Sequence, residues 1–149
     1  MKPPVSLEDL MSIWAEDSVI DETEPGRAMA KIPILHAKYL RILSYHNLMV
    51  KKLHNDYQRT KLLKWEYYKG NLNNPEDLKE HNLEPMVKNI IRQDIPMYLD
   101  GDNDLNKILL KKVMNQEIAD AATSILKELH SRTFQIKSII EWERFTGGK

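Results

Sequence analysis

The chain contains no cysteine, which excludes disulfides, thiolate metal sites and cysteine nucleophiles. Glycine is scarce, at 5 of 149 residues, and no glycine-rich phosphate loop is visible. No apolar run approaches the ~20 residues that cross a bilayer. The opening MKPPVSLEDL has no apolar stretch like a signal-peptide core. These absences set the expectation of a soluble, intracellular protein. Net charge is also missing: 22 basic residues balance 22 acidic ones. That argues against coating nucleic acid by bulk charge. What is present is 42% apolar and 30% charged residues, a composition that folds rather than stays disordered. The length suits one domain, two at most.

The neutral total hides a pattern. Residues 1–30 sum to −5, residues 31–69 to +7, residues 70–106 to −5 and residues 107–149 to +3. The +7 stretch holds nine basic residues against only Asp56 and Glu66. One element of the chain is therefore distinctly cationic.

Helix signals dominate, and no strand pattern competes. Ser6 with Asp9 three residues on resembles a capping box and predicts a short helix over 7–16. Pro25-Gly26 reads as a turn or a helix start, and Pro33 as a break or kink. Between Pro33 and Gly70 there is neither Pro nor Gly. Ile32, Leu35, Tyr39, Ile42, His46, Met49, Leu53, Asp56, Thr60, Leu63 and Tyr67 recur three and four apart, which is a helix stripe. It predicts a rod of roughly 55 Å ending at Gly70. Asn74 caps a short helix that starts at Pro75. Residues 75–100 predict one or two short helices, broken at Pro85 and Pro96. Asp100-Gly101-Asp102-Asn103-Asp104 is a turn and cap. Leu105, Ile108, Lys112, Asn115, Ala119, Ala122, Leu126, Leu129, Thr133, Ile136 and Ile140 then mark a second rod of about 60 Å. Stripes this long outrun a single compact core. They are expected to meet each other as an antiparallel hairpin, to meet other subunits, or both. The expected fold is all-α: two long helices with shorter ones. The expected division is an N-terminal helical region, 1–104, and a C-terminal long helix, 105–149.

The window Tyr57–Lys69 carries the most chemistry. On a helix, Tyr57, Lys61, Lys64 and Tyr68 share one face, and Lys61, Trp65 and Lys69 the adjoining line. Cations interleaved with rings suit single-stranded nucleic acid, the ammonium groups on phosphates and the rings under bases. The same rings at the same spacing also suit packing inside a bundle. The five histidines show no zinc-helix spacing, and His46 falls on an apolar stripe. Asp100, Asp102 and Asp104 alternate like a calcium loop, but the sixth and twelfth positions are Leu105 and Lys111 instead of Gly and Glu. No catalytic triad is visible, so neither an enzyme, a metal nor a cofactor is expected. The dense apolar end with Phe134, Ile136, Ile140, Trp142 and Phe145 reads as core or subunit interface.

The segment Lys64-Trp65-Glu66-Tyr67-Tyr68-Lys69-Gly70, preceded by basic residues, resembles the basic box and Tyr-Tyr-x-Gly ending of the UvsY family of bacteriophage recombination mediators. Leu7-Glu8-Asp9-Leu10 with Ile20-Asp21-x-Thr23 is similar to that family's opening. Ile32-Pro33-x-Leu35-His36-x-Lys38-Tyr39-Leu40 resembles the start of its long helix. Arg132-x-Phe134-x-Ile136-Lys137-x-x-Ile140-Glu141-Trp142-x-x-Phe145-x-x-Gly148 resembles its C-terminus. The likeness implies a non-enzymatic protein in the cytoplasm of the infected bacterial host, with no membrane role. It implies a helical-bundle ring oligomer of six or seven subunits that binds single-stranded DNA, with 1–104 for strand binding and 105–149 for self-association. It further implies two partners, the phage recombinase and the phage single-strand-binding protein, with the mediator loading the first where the second coats the strand. The family's two cations one residue apart fall on Leu62 and Lys64, so only Lys64 carries over directly, and Lys61 stands beside the lost charge. The strand-binding residues expected are Arg59, Lys61, Lys64, Trp65, Tyr68 and Lys69. The self-association residues expected are Leu126, Leu129, Phe134, Ile136, Ile140 and Trp142. The competing reading is a helical scaffold or adaptor that joins proteins without binding DNA.

Overall fold

A computed structural model of the chain describes residues 6–147. The described residues form helices α1 (Leu7–Asp17), α2 (Pro25–Lys69), α3 (Pro75–Glu80), α4 (Ile95–Asp100) and α5 (Asn103–Thr146). A 3₁₀ turn at Arg92–Asp94 leads into α4. No strand occurs among the described residues, and the all-α expectation holds. No helix among them is long and apolar enough to cross a membrane.

The local signals act as the sequence implies. The Ser6 hydroxyl accepts the Asp9 amide at 3.0 Å and starts α1. Asn74 accepts the Glu76 amide at 3.1 Å and starts α3 at Pro75. Gly70 takes φ 86°, a left-handed value that costs glycine little. Its amide donates to Tyr67 O at 3.1 Å, and the Asn71 amide donates to Glu66 O at 3.0 Å. That paired closure is a Schellman motif. Gly148, the last residue of the C-terminal resemblance, lies outside the described residues.

Two expectations that a proline breaks a helix are corrected. Pro33 sits inside α2, which starts eight residues earlier at Pro25. The ring removes one backbone donor, but Ala28, Met29, Ile32 and Leu35 are half-buried and anchor both sides of it, while Pro33 is exposed. Pro96 begins α4 rather than breaking a helix, because a first-turn amide has no helical acceptor to lose.

The chain forms two compact units, residues 1–49 with 114–149, and residues 50–113. Each unit takes part of α2 and part of α5. In the first unit Leu10, Tyr39, Ile42, Ile118, Ala122, Ile125 and Leu129 form the core. Trp14 meets Tyr39 edge-on, with centroids 5.5 Å apart. The polar members of this unit are paired. His46 Nδ1 lies 2.8 Å from Asn115 Oδ1. The buried Arg132 guanidinium donates to Asp17 O and Ser18 O at 3.1 and 2.8 Å. It thereby ties α5 to the end of α1 and stacks over Trp14. In the second unit Ile95, Leu99 and Leu105 form a smaller core, covered by Tyr57, Trp65, Tyr68 and Ile90.

Candidate nucleic-acid interface

The last five turns of α2 belong to the second unit. Leu53, Tyr57, Thr60 and Lys64 follow one another at +4, +3 and +4 along its inward line. Leu53 is buried, Tyr57 and Thr60 are half-buried, and Lys64 is buried. Lys64 therefore points into the unit, not toward solvent. Its ammonium lies 3.1 Å from Asp102 Oδ2 and 2.8 Å from Asp104 Oδ2. The Lys64 and Asp102 side chains are only 7% and 3% exposed.

Asp102 is the hub of this arrangement. One carboxylate oxygen accepts the Leu105 amide at 3.0 Å and caps α5. The other accepts the Tyr68 hydroxyl at 2.6 Å and faces Lys64. Burial alone would raise the Asp102 carboxyl, but the hydrogen bonds from Tyr68, Leu105 and Lys64, with the Lys64 charge, hold it below the usual range. Burial works against the Lys64 ammonium, and hydrogen bonds to Asp104 and Asp102 outweigh it, raising it above an ordinary lysine. Burial first, then the bond to Asp102, pushes the Tyr68 hydroxyl well above its usual range. Both carboxylates are engaged by Lys64, and no group of acidic or histidine side chains among the described residues is arranged to hold a metal.

The other expected strand-binding residues divide. Arg59, Lys61 and Lys69 are exposed. Lys61 stands 6.0 Å over the Tyr57 ring. Trp65 and Tyr68 are half-buried against the Ile95–Leu99–Leu105 cluster. Lys64, Trp65 and Tyr68 thus build the inside of the unit, while Arg59, Lys61 and Lys69 stand outside it. Two residues that sequence reasoning passed over join the exposed set, Lys51 and Lys52. The spacing could have found them. Lys51, Asn55, Gln58, Leu62 and Lys69 follow one outward line at +4, +3, +4 and +7, with Lys52 and Arg59 seven apart beside it. None of Lys51, Lys52, Arg59, Lys61 or Lys69 pairs with a carboxylate among the described residues. Leu62, where the family's other cation would stand, is 65% exposed in their midst.

The expected self-association residues divide as well. Leu129 and Ile136 are fully buried within the first unit, and Leu126 and Ile140 are half-buried. Phe134 and Trp142 are 78% and 65% exposed, and Trp142 stacks on the exposed Phe145. Leu129 belongs to the subunit's own core. Of the six expected residues, the two left exposed, Phe134 and Trp142, are aromatic.

The model of the UvsY family, described as recombination, repair and single-stranded-DNA-binding proteins, matches residues 13–149. The chain belongs to the UvsY family. Among solved structures it is similar to the bacteriophage T4 recombination mediator protein UvsY, at a TM-score of 0.81 and 21% identity over 97% of this chain and 99% of that one. At that identity the likeness is one of fold. No curated protein matches the chain. Within the UvsY fold, α2 supplies the exposed cationic face of the second unit, and α5 supplies the exposed rings Phe134, Trp142 and Phe145 of the first.

Proposed function

We propose that this UvsY-family chain is a non-enzymatic recombination mediator. It binds single-stranded DNA through the outward face of α2 and self-associates through the exposed rings of α5. It helps a phage strand-exchange recombinase load onto single strands already coated by single-strand-binding protein, in the cytoplasm of the infected host. The observation that carries this is the coincidence of family membership with a helix face whose exposed charged residues are all basic: Lys51, Lys52, Arg59, Lys61 and Lys69. Ammonium and guanidinium groups without a carboxylate partner among the described residues are available to replace the counterions of a phosphate backbone. Asp56 and Glu66, the acids of the same stretch, are half-buried, and Glu66 accepts the Asn71 amide nitrogen at 2.7 Å.

Of the residues expected at the strand, Arg59, Lys61 and Lys69 make the contacts. Lys64, Trp65 and Tyr68 hold the face in place from behind. A ring of six or seven copies would repeat this face around the particle. The test is fluorescence anisotropy with a labelled single-stranded oligonucleotide at low salt, alongside subunit mass by light scattering. Binding that weakens steeply with salt and a mass of several subunits are expected. No anisotropy change at low salt would leave a helical scaffold in place of a mediator. Loading is tested separately. Adding the protein should shorten the lag of a strand-exchange recombinase on strands coated by single-strand-binding protein.

A further inference from the structure

The exposed face of α2 in the second unit has cations but no rings. Tyr57 and Trp65 pack on Ile95, Leu99 and Leu105. The Tyr67 hydroxyl donates to Glu84 O at 2.7 Å, and its ring lies 5.2 Å from Tyr68. Tyr68 donates to Asp102 and lies 5.6 Å from the Tyr98 ring. All five aromatic side chains of residues 50–113 are half-buried, and none is exposed. A base stacks only on a ring whose face is open.

Resting on the DNA-binding reading above, we propose that the second unit grips the strand by its phosphodiester backbone alone. The rail is Lys51, Lys52, Arg59, Lys61 and Lys69, and no base is stacked on it. Lys51 and Lys52 extend the site more than two helical turns beyond the basic box. From Lys51 to Lys69 the rail is about 27 Å long. At the ~3.4 Å per nucleotide of a stacked strand it passes about eight phosphates. Leu62 sits on the central line, and Arg59 is the planar cation of this face. Such a site is indifferent to base identity, and to whether bases are present at all.

Five phosphate contacts per subunit imply a salt slope of about −3.5 on a single strand, so affinity falls roughly 130-fold between 50 and 200 mM salt. Removing Lys51 and Lys52 brings the slope to about −2.1 and the fall to roughly 18-fold.

The experiment compares an oligothymidylate with an abasic deoxyribose-phosphate strand of equal length, both fluorescent, against the full chain. Expected is abasic binding within about twofold of oligothymidylate, with the same slope. The Lys51→Ala, Lys52→Ala double variant, shown folded by circular dichroism, lowers the slope on both strands. Each stacked base contributes roughly fivefold or more. An abasic strand that binds tenfold or more weaker therefore overturns the proposal, while the DNA-binding reading stands. An unchanged slope in the double variant overturns the extent of the rail. If neither strand binds at low salt, the DNA-binding reading fails, and the rail with it.

Discussion

Lys64 separates a strand-binding role from an internal one. Lys64→Ala removes an ammonium that is 7% exposed and faces Asp102, itself 3% exposed. Breaking a buried pair from one side costs about 3–5 kcal/mol, because the other charge stays buried. Asp102 keeps the Tyr68 hydroxyl at 2.6 Å and the Leu105 amide at 3.0 Å. Asp104, with a side chain 56% exposed, is resolvated by water. The cost therefore falls near the lower end, about 3 kcal/mol. For a chain of this size each kcal/mol lowers Tm by roughly 2–4 °C, so a drop of about 6–12 °C follows. Melting is followed at 222 nm at fixed protein concentration, since assembly makes Tm concentration-dependent. Lys64→Met should lose nearly as much, because the charge rather than the stem holds Asp102. Adding Asp102→Asn to it should recover part of the loss, since no charge is then left buried alone. DNA affinity, measured well below the melt, should keep its salt slope. The opposite pattern, an unchanged Tm with a slope reduced by about 0.7, would refute the internal role and return Lys64 to the phosphates.

Leu62→Lys adds a cation at a position 65% exposed on the rail; the salt slope should steepen by about 0.7, read by anisotropy titrations at several ionic strengths. Leu129→Ala, at 0% exposure, should cost about 2–5 kcal/mol in urea unfolding. Phe134→Ala, at 78% exposure, should leave unfolding within about 0.5 kcal/mol yet reduce assembly by light scattering. Stability should also fall at both ends of the pH scale. Tyr39, Tyr68 and Lys64 are raised in the folded state, so their contribution is complete below about pH 10 and is lost as pH rises above it. Asp17 and Asp102 are lowered, so theirs is complete above about pH 4 and is lost as pH falls below it. Urea midpoints across pH should show both limbs, and a flat alkaline limb would contradict the bonds that the Tyr39 and Tyr68 hydroxyls donate to Asp17 and Asp102 at 2.7 and 2.6 Å.

Period and punctuation made the helices legible. Every stripe position from Ile32 to Tyr67 and from Leu105 to Ile140 is buried or half-buried. Ser6, Asn74 and Gly70 act as local chemistry dictates. Pro33 was misleading because one lost hydrogen bond is small beside the burial on either side of it. The two units were not legible, since neither long helix has a break where they divide. Lys64 was hidden for a different reason. A lysine reads as solvated unless its partner is known, and Asp102 and Asp104 lie about forty residues away in sequence. The phase of the helix nevertheless held the answer, because Leu53, Tyr57, Thr60 and Lys64 share one line. Leu129 and Ile136 were legible as apolar, but their pattern could not tell an inner face from an outer one.

The neutral total also takes its meaning from these placements. Of the cations in residues 31–69, Lys38 is held by Asp17 at 2.7 Å and Lys64 by Asp102 and Asp104. The surplus read from sequence therefore overstates what solvent meets. The acids that offset it are equally unavailable, because the pairs cancel where they stand. At about 0.1 M salt, charges beyond ~10 Å are largely screened. A strand thus responds to the local face, and there Lys51, Lys52, Arg59, Lys61 and Lys69 have no exposed acid among them on α2. Overall charge and site charge are separate quantities here. The first argues against indiscriminate coating of nucleic acid. The second sets the salt slope that the titrations read.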